Sequence, residues 1–214
     1  MPVKKLFWDN PYLTELSTII TGVSGDTVTL ESTIAYAFSG GQQSDEGTLN
    51  GLKIIKAEKH DKEIFYTLEP DHGLETGQGV LIQIDWDKRY RIMKLHFAAE
   101  IILELVYQNF GRPEKTGANI TFDKARIDFV RDKNISEMFP LLNEKARELI
   151  ALDLPVESAF SDEAAQRRYW RIEGFGQVAC GGTHIRRTGE IGPLKLKRVN
   201  LGQNRERIEI YLTE

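Results

Sequence analysis

The sequence predicts an α+β fold in two parts: a small N-terminal β-barrel-like domain over residues 1–88, then an α+β domain over residues 89–214 built from antiparallel sheet and helices. Three observations predict it. The first 86 residues hold five or six short runs rich in β-branched residues, separated by turn clusters and free of a convincing helix. Near Asp87-Lys88-Arg89-Tyr90-Arg91 the apolar spacing changes from two to the helical period. Beyond that point helices alternate with hairpin patterns, the mark of an α+β domain.

Taken in order, Leu13–Val23 and Thr27–Glu31 flank Ser24-Gly25-Asp26 and predict a hairpin. Strands follow over Thr48–Ala57, Glu63–Leu68 and Val80–Asp85, with His60 and His72 in the intervening turns and no neighbouring ligands. Ser39-Gly40-Gly41-Gln42-Gln43-Ser44-Asp45-Glu46-Gly47 interrupts them as a loop whose backbone can come close to another molecule. It lacks the lysine and spacing of a nucleoside-triphosphate loop. Met93, Phe97, Ile101 and Leu105 recur at helical spacing, which predicts a helix over Leu95–Phe110 with His96 in its first turn. Gly111 and Pro113 end it. Ala118–Phe122 and Arg126–Arg131 predict a second hairpin, and Ser136–Leu152 a second helix limited by Pro140. A third helix is expected from Ser161 or Asp162 to Trp170. Strands at Arg171–Glu173, Gln177–Ala179, Leu194–Val199 and Arg207–Leu212 complete the chain.

The stretch that carries chemistry is Cys180-Gly181-Gly182-Thr183-His184, with His96 and Glu100 at i and i+4 on one helix face. Cys180 is the single cysteine, so it forms no internal disulfide. A thiolate and imidazoles are soft-to-borderline donors that suit zinc, and the Gly-Gly step lets the backbone bring both side chains to one point. Each pair alone is an ordinary surface pair or a buried thiol; together they predict four metal ligands, His96, Glu100, Cys180 and His184.

The formal net charge is −4, yet residues 163–214 hold ten Lys or Arg against six Asp or Glu. Arg167-Arg168, Arg171, Arg186-Arg187 and Lys195/Lys197/Arg198 flank the Cys/His motif. They suit an anionic substrate such as a phosphate backbone, or are solvated faces. No apolar run reaches bilayer length and the first residues lack a signal-peptide core, so a cytoplasmic protein with no membrane partner is expected.

These residues resemble a known family, the freestanding alanyl-tRNA editing proteins of the AlaX group, relatives of the editing domain of alanyl-tRNA synthetase. Leu6-Phe7-Trp8 with Pro11-Tyr12-Leu13 is similar to the family's opening. Thr33, Tyr36 and the run Gly40-Gly41-Gln42 to Asp45 and Gly47 match its glycine motif. Ala125-Arg126-Ile127-Asp128-Phe129 matches the strand after the first helix, and Cys180–His184 with Thr188-Gly189-Glu190-Ile191-Gly192 is the most specific match. The family's second helix histidine is Glu100 here. Its first loop glycine is Ser39, its proline after the glutamine is Gln43, and the phenylalanine before Tyr36 is Ala35.

The resemblance implies an editing-type second domain, a Zn2+ ion, and trans-acting hydrolysis of the ester that joins serine, or glycine, wrongly to tRNA(Ala). It implies that Thr33 reads the serine hydroxyl and that Gln42 holds the ribose or the attacking water. Arg186, Arg187, Lys195 and Lys197 would then meet tRNA phosphates. Glu100 is either a ligand or a base acting on a bound water. A non-catalytic tRNA-binding relative with structural zinc, and a metallohydrolase of another aminoacyl ester, stay open, as does the choice between monomer and homodimer.

Overall fold

A computed structural model describes residues 2–213 of the chain. The chain is α+β with mostly antiparallel sheets and few helices. It divides into two compact units, Met1–Arg91 and Ile92–Glu214, and the boundary falls inside the long helix α1 (Trp86–Asn109).

In the first unit seven strands form one antiparallel sheet. Their order is Leu52–Lys53, Gly47–Leu49, Gly79–Ile84, Glu15–Ser24, Thr27–Leu30, Glu63–Thr67 and Lys56–His60. The two end strands do not pair with each other, so the sheet is a curled half-barrel that stays open. The period of two sets its inner face: Val28, Leu30, Ile64, Tyr66, Ile20 and Ile82 alternate inward and are buried. The run Thr48–Ala57, expected as one strand, is three, because Asn50 (φ 51°) and Gly51 (φ 81°) form a two-residue turn between Leu49 and Leu52. Gly47 has to be glycine, since a Cβ there would stand 2.1 Å from the backbone oxygen of Gln83.

Helix α1 corrects the expectation of a start at Leu95. It begins at Trp86, where the Asp85 carboxylate accepts the Lys88 backbone N–H at 3.0 Å as an N-cap. The segment Asp87–Arg91 looks polar because Arg89 is in it, but Arg89 is 1% exposed and its charge is met internally by Asp45. His96 therefore sits in the third turn of the helix.

In the second unit a four-stranded antiparallel sheet runs in the order Lys115–Ile120, Ala125–Val130, Arg205–Leu212, Leu194–Gly202. Helix α2 (Phe139–Ala151) follows a 3-10 turn at Ile135–Met138, with Pro140 in the first helical turn. A second antiparallel sheet has the order Glu157–Asp162, Arg167–Ile172, Gly176–Ala179. The helix expected from Ser161 to Trp170 is absent, and two strands of this sheet replace it. Arg168, Trp170 and Ile172 are buried in alternation, a period of two that overrides the helical look of Ala164-Ala165. Gln166 (φ 54°) turns the chain between the strands.

Candidate metal centre

His96 is carried by α1, and Cys180 leaves the end of strand Gly176–Ala179, anchored by its backbone N–H to the Arg168 carbonyl at 3.0 Å. His184 follows in a loop and is buried beside Phe97, ring centroids 5.7 Å apart. The Cys180 Sγ stands 3.2 Å from His96 Nε2 and 3.2 Å from His184 Nε2. Among the described residues these three donor atoms lie within 4.8 Å of one another, and the two imidazoles meet edge to face. Two nitrogens and a sulfur converging in this way fit a borderline-soft cation such as zinc.

The other nitrogen of His184, Nδ1, is 2.9 Å from the Ser158 hydroxyl. An ion held on Nε2 would leave the proton on Nδ1, which would then donate to Ser158 and fix the ring's orientation. Glu100 stands beside the three, its Oε1 3.4 Å from His96 Nε2, and its Oε2 accepts the Trp170 indole N–H at 3.1 Å. Burial alone would lower His96, but the Cys180 sulfur and the Glu100 carboxylate outweigh it and raise its pKa to about 10. Burial likewise opposes ionisation of Glu100, and His96 and Trp170 outweigh that, bringing it down to about 2. His184 is pushed down to about 3 by burial and by the charge on His96, so it is neutral, whereas His96 has to release its proton before it can ligate.

Gly181 is exposed, with open space where a Cβ would sit, and its φ lies outside the left-handed region. Neither packing nor backbone conformation demands a glycine here. Thr188, Gly189 and Glu190 serve the fold. Thr188 Oγ1 donates to the Leu149 carbonyl and accepts the Leu154 N–H, and Glu190 accepts the N–H groups of Arg186 and Arg187.

Within the first unit, Thr33 is fully buried. Its hydroxyl pairs with the Tyr66 hydroxyl at 2.6 Å and accepts the Ala35 N–H at 3.0 Å. Gln42 is buried at the foot of a two-residue turn formed by Gly40 (φ 59°) and Gly41 (φ 85°), closed by the Gln42 N–H to the Ser39 carbonyl. Of the basic residues, Arg186 and Lys195 are exposed, Arg187 pairs with Asp153 at 2.7 Å, and Lys197 lies over the Tyr211 ring at 4.6 Å. His60 packs on Phe65, and His72 braces the Gly25 turn. The sequence pattern did not single out Ser158 or Trp170. Only the inward alternation of Trp170 with Arg168 and Ile172 could have marked it as a buried indole in need of an acceptor.

Comparison with known proteins places this geometry in a family. The family described as "Threonyl and Alanyl tRNA synthetase second additional domain" matches residues 169–209, which include Cys180 and His184. Alanyl-tRNA editing protein AlaX-M of Methanosarcina acetivorans is 31% identical, over 98% of this chain and 98% of its own length. The chain belongs to the alanyl-tRNA editing protein AlaX-M family. The AlaX-M protein of Pyrococcus horikoshii is 28% identical over 98% of this chain and 97% of its own. An alanine–tRNA ligase of Methanococcus aeolicus is 32% identical over 95% of the chain, which spans 25% of that relative's length. Among the described residues of this AlaX-M family chain, no helix is long and apolar enough to cross a membrane.

Proposed function

We propose that this chain is a trans-acting aminoacyl-tRNA deacylase that hydrolyses seryl-tRNA(Ala), with glycyl-tRNA(Ala) as a second substrate, and that it depends on zinc. The observation that carries the reading is the convergence of His96 Nε2, Cys180 Sγ and His184 Nε2 on one point. The family name supplies the substrate class. These three side chains would hold the ion, whose chemistry there is to polarise an ester carbonyl or lower the pKa of a water. Glu100 stands where its Oε1 would accept a proton of the attacking water while Oε2 stays with Trp170. Water adds to the ester carbon as Glu100 takes its proton, the bond to the ribose oxygen breaks, and Glu100 returns that proton to the ribose oxygen, leaving the free amino acid and the tRNA 3′ end.

Under this reading Gln42 steadies the ribose or the water, and Arg186, Arg187, Lys195 and Lys197 face phosphates. Thr33 reads the serine hydroxyl by exchanging one of its internal hydrogen bonds. A site that pairs with a hydroxyl rejects alanine strongly, because its own polar group is left unpaired. The test is deacylation of tRNA(Ala) charged with serine, glycine or alanine. Release of serine and glycine with alanine retained is expected. Binding without turnover would favour a non-catalytic relative, and neither binding nor turnover another aminoacyl ester. Thr33→Val should narrow the serine-to-alanine rate ratio, and an unchanged ratio removes Thr33 from the substrate.

A further inference from the structure

The carboxylate beside the three donors, Glu100, is tied by a partner whose own position is fixed. Trp170 is fully buried at the centre of strand Arg167–Ile172, paired across to Ser158 on one side and Val178 on the other. Its ring meets Phe97 edge to face at 5.3 Å. A buried indole N–H needs an acceptor, and the Glu100 Oε2 at 3.1 Å supplies it. On the other side, the Glu100 Oε1 stands 3.4 Å from the same His96 nitrogen that faces Cys180, yet Glu100 falls outside the set of mutually close donors. A carboxylate that turned both oxygens onto an ion would leave the indole unpaired in a dry interior, and with Oε2 tied to Trp170 the Oε1 stays outside the cluster of three donors.

We infer that Trp170 is a positioning residue that holds Glu100 off the metal, so that the ion keeps three protein donors and an open position, with the carboxylate beside it. The inference rests on the proposed zinc site and decides what that site can do. Three protein ligands leave a fourth position for water or substrate, whereas four close a tetrahedral ion. They also leave one anionic ligand, Cys180, instead of two, and so a stronger Lewis acid. Glu100 then stands beside the ion as a base and not as a ligand.

The test uses the full chain loaded with Co2+ in place of zinc and titrated with azide, which needs a vacant position to bind, with the visible absorption bands as the readout. The wild type and Glu100→Gln should both shift on azide addition. Trp170→Phe, which frees Glu100 to ligate, should lose the shift, and Trp170→Phe combined with Glu100→Gln should regain it. A wild type that ignores azide while Glu100→Gln responds would overturn the inference, because Glu100 would then occupy the position. A Trp170→Phe protein that responds like wild type would overturn it as well. If Trp170→Phe does not fold, the comparison of wild type with Glu100→Gln still decides whether Glu100 occupies the open position, and occupation overturns the inference. Absence of Co2+ uptake overturns the inference and the zinc site together. An azide response in a protein that deacylates no tRNA leaves the inference standing and removes only the substrate assignment.

Discussion

Arg89 donates through Nε to the Asp45 Oδ1 at 2.7 Å, through Nη1 to the Pro11 carbonyl at 2.9 Å, and through Nη2 to the Ile34 carbonyl at 2.6 Å and to Asp45 Oδ2. Asp45 also accepts the Tyr36 N–H at 2.6 Å. One buried ion pair thus fastens both ends of the glycine loop, and its removal is costly because the surviving charge stays buried. Asp45→Ala should lower stability by about 3–5 kcal/mol in urea unfolding, and Asp45→Leu with Arg89→Met should recover much of that. Equal losses in the single and double variants would show that the carbonyl contacts, and not the charge pair, matter. At Gly181 the fold asks for nothing, so Gly181→Ala should keep its melting temperature; under the proposed zinc-dependent deacylation it should also keep its metal content while kcat/KM on seryl-tRNA(Ala) falls. Unchanged kcat/KM would remove the substrate from that side of the donors.

The 3-10 turn at Thr188–Ile191 shows how a motif can be specific without touching chemistry. A Cβ on Gly189 would lie 2.4 Å from the Asp153 Oδ1, the atom that accepts the Gly189 N–H, and Asp153 itself holds φ 46°. Gly189→Ala should therefore cost about 1–3 kcal/mol by overpacking, read as a fall in melting temperature. Retained stability would mean that Asp153 swings clear. The strands of the half-barrel were legible in the sequence because one face is buried and the period of two survives. The start of α1 and the hairpin around residues 163–166 were not, for one shared reason. Each buries an arginine, Arg89 or Arg168, at a position that local pattern assigns to solvent. His96, Cys180 and His184 were legible as donors by type and spacing. Ser158 and Trp170 reach the centre only through strand pairing, which no local window contains.

Across the molecule, part of the cationic charge of the four-stranded sheet is already taken up by carboxylates. In the four-stranded sheet, Arg207 and Arg126 grip Asp128, Arg198 grips Glu206 at 2.7 Å, and Lys124 grips Glu209 at 2.5 Å. Burial would raise Asp128 and Glu209, but their cationic partners outweigh it, and all three carboxylates lie below their ordinary values. A lowered folded-state pKa contributes stability that is present above the unfolded value, 3.8 for the aspartate, and is lost as pH falls through the folded one. The melting temperature should therefore hold at neutral pH and fall steeply below about pH 4. Asp128→Asn should lower the neutral-pH plateau and flatten that acid limb, since it removes the proton uptake that drives it. If Asp128→Asn shifted the whole curve down with an unchanged acid slope, the contacts of Arg207 and Arg126 would be acting through packing and not through charge.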